Sequence, residues 1–173
     1  RIAVSFLEEL VMTPQYALLN IIRPGLLNLP EKMRSPDAEA LLLAIGLQES
    51  RFTHRRQVSG PAHGFFQFER GGIRGVLMHR SSAALASEAL KNLEVPADQA
   101  YDAVVYNDTL AVVFARLLLW TDPSAMPKLG SVEGVAWDCY IRNWRPGKPH
   151  KATWHANYRD ACLAVKENTG VDL

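Results

Sequence analysis

One carboxylate stands where the pattern around it calls for a hydrophobic side chain. Glu49 closes a run in which Leu41, Leu42, Leu43, Ala44, Ile45 and Leu47 leave no polar face. If that run is a buried helix, burial disfavours the charged carboxylate, and the negative end of the helix dipole does the same. A carboxyl group held protonated near neutral pH can give a proton to a departing oxygen. The competing reading makes Glu49 the first solvated residue past the core, paired with Arg51 or Arg55. Ser50 follows directly, then Phe52, then Ala62-His63-Gly64-Phe65-Phe66-Gln67. The Gln67 amide offers both a donor and an acceptor, and Gly64 permits close approach of backbone to a ligand. Of Phe65, Phe66 and Phe68, one or two suit a core and one suits a cleft wall.

The elements that must hold these residues are nearly all helical. Val4 to Met12 reads as a helix, and Thr13-Pro14 as a cap with proline at the first helical position. The helix this opens is expected to stop at Pro24-Gly25, with a proline-bounded connector to Arg34. Ser35-Pro36-Asp37 repeats the cap signature and opens a helix to about Ser50. Being apolar all round, that helix should be the central one. Glycines and Pro61 break the pattern from Arg51 to Gly72, which reads as a long loop with one small hairpin. Further helices are expected at Ile73–His79, Ser82–Leu93, Pro96–Val105, Asp108–Thr121 with Asp108 as cap, Ser131–Trp144 and Thr153–Glu167, with Gly170 beyond the end. The fold class is mainly α: one domain over 1–173, with a helical segment 1–34 and the site-bearing core in 35–173.

Composition excludes several alternatives. The chain has 173 residues, 48% hydrophobic and 21% charged, with a mean hydropathy of -0.07. That suits one compact domain and is too apolar for a disordered tail. Nineteen basic against 18 acidic residues leave a net charge of +1, which gives no global field for nucleic acid. No apolar run reaches the ~20 residues of a membrane span. Cys139 and Cys162 are far apart, and they either pair or stay free. The five histidines show no metal-binding spacing, and Gly71-Gly72 lacks the lysine and strand of a phosphate loop. No metal and no cofactor is expected. The chain opens on Arg1, which leaves room for a removed signal peptide or a neighbouring domain.

A helix ending in Glu-Ser, followed by the Ala62–Gln67 loop, resembles the lysozyme-like superfamily, most closely the soluble lytic transglycosylases and goose-type lysozymes. Those families carry a catalytic glutamate before serine at the end of a buried helix, then a loop like Gly-Ala-x-Gly-Leu-Met-Gln. Ala62, Gly64 and Gln67 match the loop, Phe65 and Phe66 stand for its Leu and Met, and Pro61 replaces its first Gly. A later Ala-Tyr-Asn-x-Gly element has its nearest match at Tyr140, with Cys139 for the alanine and Ile141 for the asparagine. Arg142 and Asn143 are the candidates to replace that lost polar contact. The resemblance spans Pro36 to Trp144.

It implies a lysozyme-like fold and a glycosidase that cuts peptidoglycan between N-acetylmuramic acid and N-acetylglucosamine. Glu49 would be the catalytic acid, with Ser50, Gly64, Phe65, Gln67, Tyr140 and Arg142 as substrate contacts. Ser50 reads equally as a residue that orients the loop, and Tyr140 as a core tyrosine or as a donor to Glu49. A lysozyme uses a second carboxylate, and a lytic transglycosylase needs only one. Candidates for the second are Glu69, Asp102, Asp108 and Asp138. Glu69 has the best loop position, though Glu69-Arg70 also reads as a surface ion pair. Asp138, two positions from Tyr140, should point away from it. The basic runs Arg51, His54, Arg55, Arg56 and Arg142, Arg145, Lys148, His150, Lys151 suit solvated faces or anionic wall components. The expected setting is the bacterial envelope. The single-domain look without a signal sequence leans toward a bacteriophage lysis or virion-borne enzyme. A trimmed secreted bacterial enzyme reads the same. The rival is a non-catalytic structural or wall-binding module on the same scaffold.

Overall fold

The structure is a computed structural model that describes residues 12–169. It is a mainly α-helical single domain, with essentially no strands among the described residues. The expected helix Val4–Met12 lies, but for Met12, outside the described residues, as does Gly170. Helix α1 (Pro14–Ala17) opens at Thr13, whose hydroxyl accepts from the Tyr16 amide. It passes through a π turn at Leu18–Ile22 into α2 (Arg23–Leu26).

The expected stop at Pro24-Gly25 therefore does not occur. The widened turn just before Pro24 lies where its ring would otherwise crowd the helix. Gly25 serves packing instead: a Cβ there would lie 2.4 Å from Cβ of Val112. Leu18, Ile22 and Leu26 are buried in the same core as the rest of the chain, so the N-terminal segment is part of one unit.

Helix α3 (Pro36–Glu49) starts at Ser35, whose hydroxyl caps the Ala38 amide. Every residue from Ala38 to Leu47 is buried, which makes α3 the central helix, as its all-round apolarity requires. It packs chiefly against α9 (Lys151–Thr169) and also against α7 (Asp108–Trp120). Between them come α4 (Arg70–Met78), α5 (Ala83–Asn92), α6 (Ala100–Ala103) and, after α7, α8 (Glu133–Trp144). Helix α4 begins three residues earlier than its apolar pattern indicates. Asn107, not Asp108, caps α7 by accepting from the Leu110 amide. Asp108 is instead paired with Arg55.

The expected hairpin is reduced to two isolated antiparallel bridges, Arg56–His63 and His63–Phe68. His63 and Phe68 exchange both backbone hydrogen bonds, and Gly64 donates to the Arg55 carbonyl at 2.7 Å. The loop is held from below by aromatic packing. The Phe52 ring lies against Gly46 of α3, where a Cβ would fall 2.1 Å from the ring, and meets Phe65 edge-on at 5.4 Å. Cys139 and Cys162 are both buried and unpaired. No single described helix is long and apolar enough to cross a membrane.

Candidate functional site

Glu49, at the end of α3, lines a cleft of about 1120 Å³. Gln67, Phe68 and Glu69 of the loop line it too, with Gly71, Gly72 and Gly75 of α4. Arg142, Asn143 and Trp144 at the end of α8 and Arg145, Lys148 and His150 beyond it complete the wall. The volume exceeds that of most small-molecule pockets and suits an extended ligand.

The glutamate is sheltered. Burial pushes its carboxyl up to about 7, against a smaller opposing effect from a hydrogen bond donated by Tyr140. Tyr140 Oη donates to Glu49 Oε1 at 2.6 Å. Burial and the neighbouring Glu49 charge both push the phenol above its usual range, so it stays a donor. Tyr140 is fixed by an aromatic column. Its ring stacks on Trp154 at 5.0 Å, which stacks on Tyr158 at 6.0 Å, and Trp137 packs beside it at 5.5 Å. A carboxyl that loses its proton near neutrality and retains one fixed hydrogen-bond donor is suited to both giving and taking a proton. Because Tyr140 favours the ionised form, Tyr140→Phe should raise the Glu49 midpoint by about one pH unit. Carboxyl carbon shifts followed by NMR across pH 5–9 check this.

The residue beside the acid has a different job. Ser50 is buried, its hydroxyl donates to the Phe65 carbonyl at 2.7 Å, and the Phe52 amide donates to it at 3.1 Å. Ser50 thus ties the end of α3 to the loop and does not line the cleft. Two further expected ligand contacts are also displaced. Gly64 has φ +73, and a Cβ there would lie 2.4 Å from the Val104 carbonyl oxygen, so its bareness serves packing against the chain. Phe65 is buried beneath the Arg55 guanidinium at 4.2 Å. Phe68 borders the cleft but is itself buried in the core.

Gln67 does line the cleft. Its backbone sits at φ +49 and its side-chain amide donates to the Gly64 carbonyl at 2.8 Å. Gln67 and Arg145, which line the cleft, hold left-handed backbone without being glycine, as do Arg51, Phe52, Ser59 and Glu94 outside its lining. Each such residue costs of order 1 kcal/mol, and strain of this kind concentrates at working sites. Trp144 joins the two halves of the wall: its indole N–H donates to the Phe66 carbonyl at 2.9 Å.

Of the four acids considered as a partner for Glu49, Glu69 lines the cleft and is exposed, with no ion pair to Arg70. Asp108 is held by Arg55 outside it, Asp102 lies 3.8 Å from His63 Nδ1, and Asp138 is exposed on α8. A residue that the sequence did not single out is Asp122. Its side chain is only 4% exposed and accepts from Arg142 at 2.8 Å, Asn143 at 2.8 Å and the Ser124 amide at 2.9 Å. Burial pushes its carboxyl up, but these donors together outweigh that and hold it at about 2. Asp122 is therefore a fixed anion that braces Arg142 and Asn143. Its position just beyond α7 gave no signal, because the partners lie 20 and 21 residues away. Among the described residues no cluster of His, Cys, Asp or Glu could hold a metal ion.

Helix α4 presents an unusual wall. A Cβ at Gly71 or Gly75 would meet nothing within 4 Å. Packing does not require glycine at either position, although a mid-helix glycine costs up to ~1 kcal/mol against alanine. Gly75→Ala should therefore raise stability by ~0.5–1 kcal/mol, read as a higher urea midpoint, while narrowing the cleft.

Fold and site together define a helical domain in which a carboxyl pushed up to about 7 by burial lines a large groove. The chain matches no family model, no curated protein and no solved structure.

Proposed function

We propose that this chain is a glycosidase acting on the glycan strands of peptidoglycan, and that it works as a lytic transglycosylase rather than a hydrolytic muramidase. The observation that carries the reading is Glu49, whose carboxyl is pushed up to about 7 at the base of a cleft large enough for a polysaccharide segment. The lysozyme-like motif order supports it: Glu49 and Gln67 line one groove, Tyr140 donates to Glu49 from behind it, and Ser50 ties the end of α3 to the loop.

In the proposed reaction Glu49 gives its proton to the glycosidic oxygen as the bond from the muramyl C1 breaks. The sugar gains oxocarbenium character, which its own acetamido group can relieve. Glu49, now ionised and held by the Tyr140 hydroxyl, takes the proton from the muramyl C6 hydroxyl. That oxygen closes on C1 and leaves a 1,6-anhydro ring, and Glu49 is protonated again. No water is consumed and one carboxylate suffices. Exposed Glu69 is the group that a hydrolytic route would recruit. Gln67 is the contact proposed for sugar amides, with Asn143 and Arg142 in the place of the family asparagine that Ile141 vacates. The proposed setting is the bacterial cell envelope, reached from a phage particle, during host lysis or by secretion.

Mass analysis of fragments released from purified sacculi tests the reading. Anhydromuramyl ends are expected. Reducing ends would reassign the chain as a muramidase. Release of nothing, with sacculi still bound, would favour a non-catalytic wall-binding module, the reading to which Ile141 lends weight.

A further inference from the structure

The two basic runs of the sequence have different fates. In the first, Arg55 is spent on Asp108 and the Val105 carbonyl, and Arg56 contacts His63 and covers Tyr106. The second lines the cleft with Arg142, Arg145, Lys148 and His150. Arg142 is anchored there by the nearly buried Asp122. Arg145 and Lys148 are exposed, and among the described residues neither has a carboxylate within ion-pair distance. Arg145 holds left-handed backbone at φ +48 and ends α8, and its Nε donates to the Arg142 carbonyl at 3.3 Å. The remaining charged lining groups are Glu49, kept largely protonated below neutrality, and Glu69. The α4 side of the groove is bare glycine.

A neutral polysaccharide would gain nothing from unpaired cations beside its path. Peptidoglycan differs from neutral chitin-type glycan in carrying short peptides with free carboxylates, one on each muramyl unit. Resting on the function proposed above, we infer that the Arg142–His150 segment receives the carboxylates of these peptide stems, so that the cleft prefers peptide-bearing glycan to the same glycan stripped of peptide. The bare face of α4 leaves room for the sugar chain while the stem lies against the cations.

The test uses binding, so that it does not depend on turnover. Soluble glycan fragments from wall material freed of phosphate polymers are prepared with their peptides and after amidase treatment, the lactyl carboxylates that this exposes being converted to amides. The full chain carrying Glu49→Gln is titrated with each. Peptide-bearing fragments should bind roughly five-fold to ten-fold more tightly in low salt, the scale expected of two or three exposed ion pairs, with the gap closing near 1 M salt. Adding Arg145→Asn, which tolerates the left-handed backbone, and Lys148→Gln should bring the two affinities within about two-fold. Equal binding of both fragments before these changes, or an undiminished preference after them, overturns the inference. A preference retained by a chain whose unaltered form releases nothing from sacculi would sink the glycosidase reading and leave this one standing. Tighter binding to phosphate-bearing wall polymer than to peptide-bearing glycan would also overturn it.

Discussion

Glu49→Gln should cut fragment release from sacculi by at least ~10²-fold, the usual scale for losing a positioned proton donor. It should do so without unfolding the protein. Glutamine keeps an oxygen that can accept from Tyr140, so the 2.6 Å contact has a substitute. The same change should alter stability in a direction opposite to most substitutions at a working site. The carboxyl has an ordinary value of 4.5 and is pushed up to about 7 in the folded chain. Below the ordinary value both states are protonated, and burial adds no pH-dependent cost. As pH rises between the two values, the unfolded chain ionises first, and folded stability falls. Above about 7 the full penalty is in place, up to ~3 kcal/mol by the size of the shift and less where solvent reaches the group. Glu49→Gln removes it. The variant should therefore match the parent near pH 4.5 and exceed it at pH 8, seen in denaturant midpoints at both. A variant no more stable than the parent at pH 8 would mean that the side chain is hydrated.

Gly64→Ala should be the most damaging single methyl in the loop. The new Cβ would lie 2.4 Å from a backbone oxygen of Val104, and φ +73 is strained for alanine whatever the space. Backbone cannot swing aside as a side chain can, so the loop must shift. A cost of ~2–4 kcal/mol combines left-handed strain with overpacking. Gln67 moves with the loop, because its side-chain amide is bonded to the Gly64 carbonyl. On the proposed function, activity should fall even where the protein remains folded, and thermal unfolding with sacculus clearing at 20 °C separates the two effects. By contrast, Gly75→Ala on the groove wall meets empty space. The loop behind the groove and the helix that walls it thus contain glycines with opposite tolerance, which the sequence alone does not distinguish.

That contrast marks what could be read before the structure. The central place of α3 was legible because no polar face interrupts Leu41–Leu47. The unusual state of Glu49 followed from the same pattern, and Tyr140 was legible as its partner through the motif order. What stayed open were contacts set by tertiary distance. Ser50 reads equally as a ligand contact or as a residue that orients the loop, and its bond to the Phe65 carbonyl gives it the second role, whereas Gly64, expected to allow close approach to a ligand, is consumed by packing against Val104. Pro24-Gly25 was expected to end a helix, but local propensity lost to a π turn and to the fit against Val112. Asp122 gave no sign because its meaning depends on Arg142 and Asn143, a loop and most of a helix further on.

One hydroxyl joins the acid's helix to the loop. Ser50, the residue next to Glu49, donates to the Phe65 carbonyl and accepts from the Phe52 amide, so one buried oxygen seats the loop beside the end of α3. Were that seat loosened, water would reach the acid, and its proton affinity would relax toward that of a free side chain. The hydroxyl thus bears on its neighbour's proton without bonding to it.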